Sequence, residues 1–164
     1  MTRIDFAASA LHEFGKLAER LAPERSVDLI EQDLNDCWHI PDRAAGAVFA
    51  ITVIENFVES GQQHHFSMEI CRILKPGGLL VLEYYTPRDG YYSVLLDSSP
   101  LKEKGIVIDP NNAISFRIFT GEEILALMNP AFETVMNTQF TWDGVKYGKP
   151  CTRTSDYLVL RKKV

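Results

Sequence analysis

Apolar residues recur along this chain with two alternating periods, one helical and one extended, and their order predicts a succession of helices and strands. Ala10, Leu11, Phe14, Leu17, Ala18 and Leu21 share one helical stripe, which Pro23 closes. Val27 and Leu29 alternate with Asp28, so a short strand is expected there before the chain turns polar towards Asp36. Residues 47–53 are β-branched, aromatic or small and follow the polar turn Pro41-Asp42-Arg43, which predicts a second, buried strand. Ile70, Ile73 and Leu74 return to helical spacing, predicting a helix over 62–74. Pro76 cannot extend it, and Gly77-Gly78 offer the positive backbone angles that reverse a chain. The apolar run 79–82 then reads as a strand covered on both faces, the habit of parallel sheets between helices. The expected fold class is therefore α/β.

Residues 86–115 show no clean period and exceed the usual length of a connection, which marks them as an insertion, either a lid over a pocket or a mobile segment. Thr120 and Glu123 have capping-box spacing, so a helix is expected from that point to a stop at Asn129-Pro130. Residues 132–142 and 154–160 predict two strands, antiparallel, joined by a turn-rich segment over 143–150.

The 164 residues suit a single domain over 1–164, and 46% hydrophobic with 24% charged residues is enough to build a core. The longest nearly apolar run, 44–54, is too short to span a bilayer, and the start lacks the layout of a signal peptide, so a cytoplasmic protein without membrane contact is expected. A net charge of −5 argues against nucleic acid as a partner, and the tail Arg161-Lys162-Lys163 reads as a solvated terminus. Cys37, Cys71 and Cys151 are odd in number and widely spaced, so neither a disulfide framework nor a zinc site is indicated. His64 and His65 are adjacent on the expected helix, point about 100° apart, and have no ligand cluster beside them, so no metal is expected.

The segment Arg72-Ile-Leu-Lys-Pro-Gly-Gly, leading into Leu79-Leu-Val-Leu-Glu83, resembles the junction before the fifth strand in the class I, Rossmann-like S-adenosylmethionine-dependent methyltransferases. The flanking elements follow the family's order over nearly the whole chain. The resemblance implies a mostly parallel sheet with a C-terminal antiparallel hairpin, S-adenosylmethionine as cofactor and a small-molecule acceptor. It assigns Asp5, followed by Phe6, to the end of the strand whose carboxylate holds the donor's ribose hydroxyls. It places Asp33 at the adenine amino group with Leu34 in apolar contact, and Val53 and Glu55 in the turn facing the donor's amino acid part. On the residues alone, Asp5 is equally a helix cap and Asp33 equally turn chemistry.

For the acceptor side, Glu83 at the end of its strand is the expected substrate-facing acid, since ligands sit beyond the carboxyl ends in open α/β sheets. Tyr84, Tyr85, Tyr91, Tyr92 and Trp142 line an acceptor pocket or, alternatively, pack in core and lid. No nucleophile is expected, because methyl transfer from a sulfonium is a direct displacement that needs alignment and exclusion of water.

The sequence departs from the family at its start. The first strand and the acidic-x-Gly-x-Gly-x-Gly turn that wraps the donor's methionine part are absent, so the expected fold is a sheet truncated at the N-terminus, with weakened donor affinity. Ala45-Gly46 also replaces the acid that usually opens the fourth strand. In the family the absent strand lies beside residues 47–53, so that edge needs another cover, either the strand at 27–30 or a second copy of the chain in a homodimer. Three readings remain: a methyltransferase, catalytically incomplete as it stands; a non-catalytic binding or dimerisation module; and a product cut short by a misassigned start.

Overall fold

The computed structural model describes residues 1–128 and 130–164, which form two compact units, Met1–Pro41 and Asp42–Val164. The first is a strand-helix-strand unit: β1 (Thr2–Asp5), α1 (Ala8–Leu21) and β2 (Asp28–Glu31). β1 and β2 are parallel, with Asp5 opposite Glu31 at their carboxyl ends. Gly15 lets α1 approach the sheet, since a Cβ there would stand 3.1 Å from Leu29 Cδ1. Of the apolar stripe on α1 only Leu11 is buried, and Leu21 remains 71% exposed.

The second unit holds a four-stranded mixed sheet, flanked by helices, in the order β3-β4-β8-β7. β3 (Ala45–Ile51) runs parallel to β4 (Leu74–Tyr85), whereas β8 (Lys149–Lys162) is antiparallel to both β4 and β7 (Phe132–Lys146). The strand at 28–31 pairs with β1, so β3 keeps β4 as its single ladder partner among the described residues and ends as an edge.

The helix before β4, α2 (Ser60–Ile73), starts in a capping box between Glu59 and Gln62 and buries Phe66, Ile70 and Ile73. It stops one residue earlier than its spacing predicts, and Leu74 already belongs to the strand. The two glycines that follow have different tasks. Gly77 takes the positive φ of 76°. Gly78 instead supplies room, because a Cβ there would lie 2.9 Å from the Lys75 carbonyl and 3.1 Å from that of Gly46.

The expectation that β4 is covered on both faces holds for one. Leu80, Leu82 and Tyr84 are fully buried against Phe66 and Ile70 of α2, Leu158 and Leu160 of β8, and Ile124 and Met128 of α4 (Gly121–Met128) in a shared core. Leu79, Val81, Glu83 and Tyr85 alternate with them and stay half-buried, and on the same face of β3 Phe49 is 71% exposed. The apolar run therefore reflects strand propensity as much as burial. α4 opens in the expected capping box: the Glu123 amide donates to Thr120 Oγ1 at 3.2 Å, and the Thr120 amide to Glu123 Oε2 at 2.8 Å. Part of its expected stop, Asn129, lies outside the described residues.

Two segments differ from their sequence patterns. Residues 143–150 are strand rather than loop, and β7 and β8 meet in a two-residue turn where Tyr147 and Gly148 take φ of 50° and 76°. That pair of left-handed residues is what a tight hairpin requires. The insertion at 86–115 is ordered, with α3 (Tyr92–Ser98) and an antiparallel pair, β5 (Ile106–Ile108) and β6 (Ser115–Arg117).

Asp89 fastens that insertion. The side chain is fully buried; Oδ1 accepts the Tyr91 and Tyr92 amides at 3.0 Å each, while Oδ2 accepts Arg153 Nε at 2.7 Å and the Thr154 amide at 3.0 Å. One carboxylate thus caps the start of α3 and ties it to β8. Next to it the Gly90 amide donates to the Thr152 carbonyl at 2.8 Å, an approach that a side chain at Gly90 would block. Asp89→Ala would leave the Arg153 charge, four backbone or guanidinium donors and the insertion without their acceptor. A loss of about 3 kcal/mol in urea denaturation is expected. Arg161→Ala removes a 3.4 Å pair whose members are about half exposed, and should cost under about 1 kcal/mol in the same measurement.

Candidate functional site

In the first unit the expected donor-binding residues gather beyond the carboxyl ends of β1 and β2. Asp5 closes β1, and Asp33 follows two residues after Glu31 closes β2. Asp5 Oδ1 accepts the Ala7 amide at 3.1 Å and Oδ2 pairs with Arg3 at 3.1 Å, so it anchors the entry to α1. Each oxygen keeps a further lone pair for a ligand hydroxyl. Asp33 Oδ1 accepts both the backbone and the side-chain amide of Asn35 at 2.8 Å, holding the loop in an Asx turn. Leu34 is half-buried with its carbonyl bound to Trp38 Nε1 at 3.0 Å, and Phe6 stands 79% exposed.

In the second unit the parallel strands β3 and β4 also end together, Ile51 opposite Glu83. The chain leaves β3 through Thr52, whose φ of 51° is costly for a β-branched residue. The Thr52 amide donates to the Glu83 carbonyl at 2.9 Å, and Asn56 Nδ2 donates to the Val53 carbonyl at 3.0 Å, so the turn is held from both sides. Its tight helical continuation, Ile54–Asn56, buries Ile54 and Glu55 completely and leaves Val53 half-buried.

Glu55 is the unusual group of this turn. It is 0% exposed, neither carboxyl oxygen has a hydrogen-bond partner, and among the described residues no salt bridge includes it. Burial pushes its pKa from 4.5 up to about 8; its own backbone amide opposes the rise and the negative charge of Glu83 adds to it. The carboxyl is therefore mostly protonated at neutral pH.

Around Glu83 the same sheet end carries phenols. Tyr157 lies opposite Glu83 on β8, and burial followed by that carboxylate raises its hydroxyl pKa. Tyr85 is raised by burial and then by Glu55, and its ring stacks on Tyr92 at 4.3 Å. Tyr84 points to the other face of β4 and is wholly in the core, with burial again raising its hydroxyl.

The remaining aromatic residues enclose cations of the protein itself. The Arg153 guanidinium lies 5.6 Å from the Tyr85 and Tyr92 rings and 5.9 Å from that of Trp142. Lys146 Nζ sits 5.9, 5.7 and 5.2 Å from the rings of Tyr91, Tyr92 and Tyr147. Below it, Tyr91 donates to buried Asp109 at 2.9 Å, and burial with this bond raises the phenol to about 12. Tyr85 and Trp142 thus flank Arg153 and Tyr91 flanks Lys146, so each already faces a cation of the protein.

Asp89, Asp109, Lys146, Arg153 and Tyr157 were not singled out by sequence reasoning. No local pattern marks them: the Asp89 and Arg153 partners are 64 positions apart, so only the fold makes them a pair. On α2, His64 is exposed and His65 half-buried. Among the described residues no helix is long and apolar enough to cross a membrane, which leaves a β-barrel untested.

A parallel strand pair that ends in acids in each unit, with helices packed beside a mixed sheet in the second, defines an α/β protein of Rossmann-like fold. Residues 1–82, half of the chain, match the family described as a methyltransferase domain, and the chain belongs to the class I S-adenosylmethionine-dependent methyltransferase family. The fold agrees. A S-adenosylmethionine-dependent methyltransferase from Methanosarcina mazei superposes with a TM-score of 0.78 at 17% identity, covering 99% of this chain and 82% of that one. A protein from Pyrococcus horikoshii gives 0.72 at 18% identity over 99% and 71% of the two chains. The N-methyltransferase NodS from Bradyrhizobium japonicum gives 0.58 at 13% identity over 99% and 73%. At these identities the likeness is one of fold. No curated protein matches the chain.

A fully buried acid that stays protonated has a measurable consequence. Between its unfolded value of 4.5 and its folded value of about 8, the native state holds one proton more than the unfolded state, so stability falls as pH rises through that window. Glu55→Gln keeps the shape without the proton. Its unfolding free energy should lose a slope of about 1.4 kcal/mol per pH unit relative to the parent protein in denaturation series from pH 5 to 8.

Proposed function

We propose that this chain transfers a methyl group from S-adenosylmethionine to a small-molecule acceptor. One observation carries the reading: in both units, acids stand at the carboxyl ends of parallel strands, where α/β sheets take their ligands. Asp5 accepts the donor's ribose hydroxyls, Asp33 with Leu34 and Phe6 takes the adenine, and the Val53 to Glu55 turn faces the donor's amino acid part. Glu83 with Tyr85 and its aromatic neighbours meets the acceptor. When bound, the donor supplies a sulfonium-activated methyl group; the chain's part is to hold the two reactants in line and keep water away. The residues fit such a ligand, since Asp5 and Asp33 retain free acceptor sites and the Glu55 carboxyl is without a partner inside the protein. The three free thiols fit a reducing cytoplasm.

Calorimetric titration with S-adenosylhomocysteine is expected to show saturable binding tighter than millimolar. Asp5→Ala should weaken it about tenfold, the worth of a lost hydrogen bond to a charged acceptor. No heat and no saturation with the intact chain would leave the rival, a methyltransferase-like binding or dimerisation module.

A second proposal concerns the partner and rests on β3. Its free edge is lined by Phe49, 71% exposed, and Ile51, 43% exposed, and a bare apolar edge tends to pair with another chain. A homodimer joined at this edge is expected in light scattering at tens of micromolar, with Phe49→Lys shifting the mass to that of one chain. A monomeric parent protein at that concentration excludes the edge as a contact.

A further inference from the structure

We propose that Glu55 and Glu83 form a proton-linked sensor of ligand charge, in which a cationic group arriving at the end of β4 draws the proton off Glu55. This rests on the donor reading above and specifies which part of the donor the turn recognises: the positive sulfonium.

The argument starts from what surrounds Glu55. Its side chain lies in the turn after β3 and is 0% exposed, with both carboxyl oxygens unpartnered. A buried polar group without a partner costs free energy and is retained where something else compensates it. Among the described residues no positive group donates a hydrogen bond to either oxygen. From β4 come Glu83, a second acid, and the phenol of Tyr85. β6 packs against the turn and carries Arg117, whose Nη1 donates to Gln63 Oε1 at 2.9 Å and Nη2 to Glu123 at 2.9 Å, with the plane over the Phe119 ring; its buried Nε has no partner, and Arg117 is not among the groups that shift Glu55. Within the turn itself Asn56 donates to carbonyls. The site therefore combines two acids, one deep and one half-exposed, with phenol rings and an unanswered demand for positive charge.

Glu83 is the member a ligand can reach, since odd-numbered positions of β4 lie on the half-covered face. While Glu55 is protonated, the negative charge that opposes its ionisation is that of Glu83. A sulfonium settling beside Glu83 offsets that charge and stabilises a second carboxylate next to it, because an opposite charge within a few ångströms lowers an acid's pKa by about 1–3 units. The proton leaves Glu55 for solvent, and the bound state holds a carboxylate pair against one cation. No bond other than that O–H is made or broken. The neutral thioether of S-adenosylhomocysteine has the same shape without this charge, so it leaves the proton in place. Discrimination between fresh donor and spent product follows from the same step, since only the charged ligand gains the second carboxylate, and it strengthens as pH rises towards the point where Glu55 ionises unaided.

Calorimetry with the full chain tests this, run near pH 7 in buffers of different ionisation enthalpy. S-adenosylmethionine should release between about half a proton and one proton per site, and S-adenosylhomocysteine about none. Affinity for the charged ligand should rise by up to about tenfold per pH unit from 6 to 8, while that for the neutral one stays flat. In Glu55→Gln, which mimics the protonated acid and should fold, both the proton release and the pH dependence of S-adenosylmethionine binding should vanish. Equal proton release with the two ligands, or release that persists in Glu55→Gln, overturns the sensor while leaving the donor reading intact. Failure of both ligands to bind overturns the donor reading itself, and the sensor with it.

Discussion

The buried carboxylate of Asp89 is the constraint on which the second unit depends. Four donors converge on its two oxygens, two from the first residues of α3 and two from β8. Burying a charge is unfavourable unless it is paired and hydrogen-bonded throughout, and here two contacts are local while the two from β8 come from residues 64 and 65 positions away. The insertion is therefore part of the sheet's packing. Arg153, held by Asp89, then presents its plane to Tyr85, Tyr92 and Trp142, so a single ion pair also sets the position of the rings beside the sheet's carboxyl end.

The contrast with Glu55 is instructive, since both acids are fully buried and lie in segments that follow a strand. Asp89 has four donors, whereas neither Glu55 oxygen has a hydrogen-bond partner and the negative charge of Glu83 opposes its ionisation. Native structures seldom leave such a group unanswered, and where they do, it tends to be at a working site. The strained Thr52 immediately upstream belongs to the same turn, and strain of that kind is retained where surrounding bonds over-determine it. The match over residues 1–82 supplies the family, and the likeness to solved structures supplies the fold, whereas the buried acid after β3 is a feature of this chain's own packing.

Edges and faces explain where the polarity pattern misled. A run such as Leu79 to Leu82 looks the same whether one face or two are covered, because strand-forming residues favour β structure even where they are half exposed. Only one face of β4 is sealed, and Phe49 and Ile51 of β3 share the open one. Exposed apolar residues on a strand with a single ladder partner are the features that protein partners use, which makes self-association a physical question at this edge as well as a family one.

By itself the sequence determined what depends on neighbours a few residues apart: the helix stripes, the Thr120 and Glu123 capping box, the stop at Pro76, and the strand order that identifies the family. The resemblance to the family placed Asp5 at the end of one strand and Asp33 after another, and the run Leu79 to Leu82 placed Glu83 at the end of a third. The tertiary structure alone decided which side chains meet. It extended residues 143–150 into a hairpin, since a two-residue turn at Tyr147-Gly148 frees the flanking residues to pair. It gave Arg153 to Asp89, took Tyr84 into the core, and left Glu55 buried without a partner, outcomes set by long-range packing and desolvation that no local pattern encodes.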